Sequence, residues 1–453
     1  MSIAFFAGGY QIFAIGSYGV TSLDILMILF YFLYFIRLII YNDEIAIPKS
    51  LVTIGLALFI VSILLSSITI YSSLYTSHIV QYFKSSIHIF QLMLISIIFI
   101  SNEPDMKLAD NLFKIWIVSS LILNIFGIYQ IIARAYDLPL AWLNYSNVSM
   151  TLRGTAEEDA ISQLSLQFGN FFRATSIFSE PTALATFNLY ILIFTIIPKL
   201  QNNEMFFRSK VFNTIVVFFA IIGLFLTFSL TGILGLFLIV ISIFILESRK
   251  AKRIILKYLL IISIIIIPTD LLVNNYLEIS VTELFSKRIS GIINKNDKMS
   301  ETTDGESFIT RQNSFNDSKK IWLTSPIIGV GLGLTQYQKN IEIDFSDYSI
   351  MAILAEMGII GAISFSLFFY GLFYIGYKAN KYSKSDFSMT QTERRQFGII
   401  FYVMLVHFEI NYITGNNVIS PNLWFVLIFI LIPIYRYMQL NNYSFINFKL
   451  FDK

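Results

Sequence analysis

The chain has 453 residues, of which 56% are hydrophobic and only 13% charged, and its mean hydropathy of +0.69 excludes a soluble domain of this length. A net charge of +3 is too small to suggest a nucleic-acid partner, and the absence of cysteine excludes a disulfide framework and thiolate metal sites.

About 20 apolar residues cross the hydrocarbon core, and on that criterion the fold is all-α and polytopic, with about twelve transmembrane helices. The spans fall near 2–15, 23–41, 50–69, 79–101, 111–135, 182–198, 211–229, 231–246, 254–272, 348–377, 397–414 and 420–437. The N-terminal run MSIAFFAGGYQIFAIG lacks a basic start and a small-residue cleavage site, so it reads as a retained first span. Residues 1–135 then hold helices one to five, 136–181 a first polar loop, and 182–272 helices six to nine. Residues 273–347 form a larger polar loop, and 348–453 hold the last three helices and a C-terminal tail.

The larger loop carries eight Lys or Arg and ten Asp or Glu, which hydrocarbon cannot hold. Short connections alternate in charge. One set holds Lys49, Lys107, Lys199, Arg208, Lys210, the basic run 249–253, then Lys378, Lys381, Lys384, Arg394 and Arg395. The other set, near 16–22, 70–77, 230 and 415–419, has no Lys or Arg. The basic set is cytoplasmic by the positive-inside rule. Both termini are then expected in the cytoplasm, with 136–181 and 273–347 together on the outer face.

The first loop ends in FFRATSIFSEPTALATF, where Pro181 suits the first turn of a helix. That helix N-terminus favours a bound anion and keeps Glu180 ionised, with Arg173 seven residues upstream. In the second loop, SFITRQNSFNDSKKIWLTS reads as an amphipathic helix with Phe308, Phe315 and Trp322 on one stripe and Arg311 upon it. A guanidinium there can grip a phosphate bidentately, or pair with a carboxylate that only holds the loop. The glycines at 329, 331 and 333 can form a backbone nest for an anion. Asp347 stands at the start of the tenth span, with Glu356 deeper in it. The acidic triplet 157–159 reads as a solvated face, and neither a metal nor a cofactor is expected. Asp24, His88, His407, Glu409 and Asn411 are polar exceptions within spans, and His407 and Glu409 are placed to border an outward-opening cavity.

Three motifs, RATSIFSEPT at 173–182, Arg311 followed by Trp322 and PIIGVGLG at 326–333, and LAEMGIIG at 354–361, resemble the bacterial O-antigen ligase and Wzy-type polysaccharide polymerase superfamily. The resemblance covers roughly 170–361. It implies a metal-independent, GT-C-like membrane glycosyltransferase of the bacterial cytoplasmic (inner) membrane. Its donor and acceptor would be undecaprenyl-pyrophosphate-linked oligosaccharides, and a chain-length regulator is a possible partner. It also implies that Arg173 and Arg311 grip the donor's pyrophosphate, while Glu180 or Asp347 takes the acceptor's proton. Ligases carry a His-Asn pair where this chain has Asp347-Tyr348, which favours the polymerase branch; a ligase and a flippase or transporter are the alternatives.

Overall fold

The computed structural model describes residues 11–15, 18–41, 44–72, 76–102, 105–143, 163, 167–168, 171–201, 204–260, 306–335, 349–385, 389–414 and 421–448. The fold is all-α and polytopic. Among the described residues, seven helices are long and apolar enough to cross a membrane, and three shorter apolar helices accompany them. The long ones are α1 (Ser22–Tyr41), α2 (Leu51–Ser66, extended by a 3-10 turn at Ser67–Ser72), α3 (Thr76–Ser101), α4 (Met106–Ala135), α5 (Pro181–Leu200), and then α9 (Ser349–Ser385) and α10 (Gln391–Phe408). Between them lie α6 (Lys210–Leu226), α7 (Leu230–Leu246), a helical stretch at 249–260, and α8 (Glu306–Thr324). After α10, the chain winds wider as a π-helix at Glu409–Thr414 before α11 (Pro421–Leu440).

The expected first span at 2–15 is corrected over its described part. Gln11–Ile15 is strand β1, paired antiparallel with β2 (Tyr18–Thr21), and α1 is the first described helix. Residues 2–10 of that expected span lie outside the described residues. Apolar content alone could not separate the two forms, because a short run fits either period. Asp24, one of the polar exceptions, caps α1: its Oδ2 accepts from the Thr21 N–H and hydroxyl, each at 2.8 Å, while Thr21 Oγ1 accepts from the Asp24 N–H at 3.2 Å. Two further two-stranded pairs are short. β3 (Ile45–Pro48) joins β6 (Phe445–Phe448), and β4 (Gln167–Phe168) joins β5 (Phe171–Phe172).

The chain divides into two compact units, one of Met1–Ile115, Ser146–Ala160 and Asn313–Lys453, the other of Trp116–Tyr145 and Ile161–Gln312. In the first, α2 and α9 cross closely, since a Cβ on Gly55 would lie 2.4 Å from the Phe368 nitrogen and one on Gly371 2.8 Å from that of Val52. Small residues permit that approach where lipid supplies no hydrophobic drive. Phe59 and Phe365 pack beside the crossing at 5.3 Å between ring centroids. Elsewhere in this unit Arg395 pairs with Asp110, and Arg436 with Glu393 at 2.8 Å. In the second unit, Asn124 and Asn188 exchange two side-chain hydrogen bonds of 2.9 Å between α4 and α5. Gly223 of α6 leaves them room: a Cβ there would fall 1.7 Å from Asn124 Oδ1.

Candidate active site

In the second unit the loop before α5 is held by a buried cation. Arg134, in the last turn of α4, donates from Nε to the Ala141 carbonyl at 2.9 Å and from Nη1 to the Arg173 carbonyl at 2.6 Å. Its Nη2 reaches Gln163 Oε1 at 2.8 Å and Thr175 Oγ1 at 2.7 Å, and its guanidinium lies 4.1 Å from the centroid of Trp142. Gln130 donates to the same Gln163 oxygen at 3.0 Å, and Gln163 Nε2 donates to the carbonyls of Ser176 and Phe178. Ser176 takes the left-handed conformation, φ +54°, and its hydroxyl donates to the Leu123 carbonyl at 2.7 Å. An irregular backbone buried inside protein must have its polar groups satisfied, and here side chains of α4 and Gln163 do so.

This scaffold sets Arg173. The side chain is buried, 6% exposed, and its Nε donates to the Thr227 carbonyl at 2.7 Å in the turn between α6 and α7. Eight residues on, Pro181 opens α5, and Glu180 is its extended N-cap at φ −136°, ψ 149°. Glu180 is exposed and its carboxylate does not cap the helix. The start of α7 is capped by the Ser229 side chain, which accepts from the Gly232 N–H. A buried guanidinium eight residues before one helix start, and bonded to a carbonyl three residues before another, is chemistry for an anion with several oxygens.

The first unit contains a different construction. Gly358 interrupts α9 at φ +65°, ψ −166°, so the helix cannot close the bonds from Ile359 to Ala355 and from Ile360 to Glu356. The segment after α8 takes their place. Val330 and Gly331 donate to the carbonyls of Ala355 and Glu356, both at 2.9 Å, while Ile359 and Ile360 donate to those of Pro326 and Ile327 at 2.9 and 3.4 Å. Four broken helix groups thus find four loop partners. The fit requires glycine: a Cβ on Gly329 would lie 2.2 Å from the Glu356 carbonyl carbon, and one on Gly358 2.1 Å from the Ile327 oxygen. All three loop glycines have positive φ, as an anion nest would need, but the Val330 and Gly331 N–H groups are spent on α9 and that of Gly329 on Ser325. The nest expected from sequence is instead a helix-docking turn.

The remaining expected residues are placed as follows. Arg311 lies on α8, with its side chain outside the described residues, and Asp347 and the triplet 157–159 lie outside them altogether. The helix expected around Arg311 is present, but its buried face runs through Ser314, Ser318 and Ile321, with Phe315 and Trp322 half-buried beside it. His407 and Glu409 are both buried in the first unit, where the His407 ring meets the edge of Phe369 and its carbonyl accepts from Asn411 Nδ2 at 2.7 Å. Sequence reasoning missed Arg134 and Gln163. The available signal was that Arg134 adjoins a loop of the set otherwise poor in basic residues.

Residues 215–366 match the family model described as O-antigen ligase. This is the superfamily that the three motifs resemble. The matched stretch takes in α6 from residue 215, α7, Arg311, the glycine turn, Glu356 and the break in α9; Arg173 and Glu180 precede it. No curated protein matches the chain. The matched stretch is 152 of the chain's 453 residues, and over it the chain is similar to the O-antigen ligase family.

Proposed function

We propose that the protein is a polymerase that joins undecaprenyl-pyrophosphate-linked oligosaccharide repeat units at the outer face of the bacterial cytoplasmic membrane. The observation that carries this reading is the buried, backbone-anchored Arg173 beside the starts of α5 and α7. In the reaction an acceptor-sugar hydroxyl attacks the donor's anomeric carbon, the bond to the pyrophosphate breaks, and its electron pair leaves with the lipid pyrophosphate. Arg173 and Arg311 bind that growing negative charge. The acceptor's proton passes to a carboxylate, Glu180 or Asp347. His407 and Glu409 are read as polar walls of the outer cavity. The basic connections are cytoplasmic in this reading, and the loops holding Arg173 and Arg311 are outside. Tyr348 after Asp347, in place of the ligase His-Asn pair, favours the polymerase over the ligase.

Glycolipid analysis of a deletion strain with an otherwise intact pathway tests the assignment. Loss of a polymerase leaves lipid A-core bearing a single repeat unit. Bare core with long lipid-linked polymer is the ligase pattern, and repeat units trapped in the cytoplasmic leaflet are the flippase pattern; either overturns the proposal.

A further inference from the structure

The ribbon of β3 and β6 takes no part in the chemistry above, and its two faces differ. Its register sets Pro48 opposite Phe445 and Ala46 opposite Asn447 on one face, with Ile47 opposite Ile446 and Ile45 opposite Phe448 on the other. The first face meets the protein: Pro48 is buried, and the Phe445 ring packs on that of buried Tyr435 in α11, 5.3 Å between centroids. The second face carries four large apolar side chains. Ile446 is 43% exposed and Phe448 51%, while Ile45 and Ile47 are half-buried. A ribbon with that face in water carries polar residues there instead.

The surroundings identify what covers it. Ile39, Ile40 and Tyr41, the last residues of α1 before β3, are exposed, so the apolar face of the ribbon continues the apolar surface of a spanning helix. At the start of α2 the Lys49 N–H donates to the Ser444 carbonyl at 2.8 Å, and the Lys49 side chain is exposed. Tyr437 of α11 meets the edge of Tyr382 of α9 at 5.7 Å, which sets the ends of those two helices side by side. There Lys378, Lys381 and Lys384 are exposed, together with Tyr374 and Tyr377. Lys378 Nζ lies 5.5 Å from the Tyr374 ring centroid, and its charge acts on the Tyr443 hydroxyl. Of the acids at this end, Glu393 is engaged by Arg436, and Glu44 precedes the ribbon. Exposed lysines and tyrosines around an outward apolar face match a membrane–water boundary, where lysine meets anionic headgroups and aromatic rings sit at headgroup level.

We propose that the ribbon is an interfacial anchor. Its face of Ile45, Ile47, Ile446 and Phe448 seats at the boundary of headgroups and acyl chains, and Lys49 and Lys378 bind anionic phospholipid headgroups beside it. The proposal does not depend on the glycosyl-transfer reading.

Because the chain has no cysteine, single introduced cysteines report the position of the ribbon directly. Full-length protein carrying Ile446→Cys, Asn447→Cys or Phe448→Cys is labelled with a small fluorophore and placed in phosphatidylcholine nanodiscs with or without phosphatidylglycerol. Lipid brominated near the headgroup is expected to quench the labels at 446 and 448 at least about threefold more than the label at 447, with iodide in the water giving the reverse order. Phosphatidylglycerol should increase the lipid quenching at 446, and the double variant Lys49→Gln, Lys378→Gln should lose at least about half of that increase. Native mass spectrometry of unlabelled protein gives a second reading: wild type should retain phosphatidylglycerol, and the double variant less of it. Equal lipid quenching at 446 and 447, or iodide quenching at 446 as strong as at 447, overturns the anchor. Shielding of 446 from iodide without quenching by brominated lipid shows a protein partner on this face and overturns it as well. Quenching and lipid retention that ignore both phosphatidylglycerol and the lysine substitutions overturn the headgroup contacts.

Discussion

The two units hold irregular backbone by opposite means. Around Arg173 the loop is fixed by side chains, with Arg134 and Gln163 reaching five carbonyls and hydroxyls between them. At Gly358 the loop is fixed by backbone alone, four main-chain hydrogen bonds replacing two that the helix gave up. Each answers the requirement that no buried peptide group be left unpaired. They fail differently. The side-chain solution tolerates changes of backbone-neutral residues but not loss of one cation; the backbone solution tolerates many side chains but no Cβ at its contact points.

The comparison predicts its largest effect at the break. Gly358→Val forces a branched residue into a region of φ and ψ that is essentially glycine-only, costing on the order of 1–3 kcal/mol before any clash. Its Cβ would also meet the Ile327 oxygen at 2.1 Å. Little folded protein should survive detergent extraction, as read by size-exclusion chromatography, and a normal monodisperse yield would remove the four-bond junction from the account. Next comes Arg134→Met, which keeps much of the side-chain volume but strands acceptors that lose about 1–3 kcal/mol each. Melting temperature and activity should fall together. Arg173→Ala is expected to be smaller in stability and specific in chemistry. A charge-assisted contact contributes about 1.5–3 kcal/mol, so turnover should fall at least about tenfold, with Arg173→Lys restoring only part because the planar fork is lost. Should Arg173→Ala melt as low as Arg134→Met, the division between scaffold and ligand contact would be wrong.

Much of this was legible in the sequence, and what was not has physical reasons. Pro181 announced the start of α5, and the structure puts Glu180 at its extended N-cap. Helices α1 to α7 and α9 to α11 fall where apolar length placed spans, while residues 261–272 of the ninth expected span lie outside the described residues. The N-terminal hairpin was not legible, because Gln11–Ile15 is equally apolar as strand or helix. The glycines at 329, 331 and 333 have positive φ, yet the N–H groups of Val330 and Gly331 find their partners on a helix 25 residues later, on carbonyls freed by Gly358. Long-range pairing of that kind leaves no local periodicity to read. Arg134 was hidden for a related reason: a single cation at a helix end resembles a snorkelling side chain until the loop that wraps it is seen.

The central claim, transfer of one lipid-linked oligosaccharide to another, is tested most directly by reconstitution. Purified protein in liposomes receives undecaprenyl-pyrophosphate-linked repeat units as the sole substrate, and the products are separated by gel. The account predicts a ladder of lipid-linked oligomers from wild type and little or none from Arg173→Ala. A wild-type sample that yields no ladder, but transfers repeat units once lipid A-core is added, would contradict it and assign the protein as a ligase.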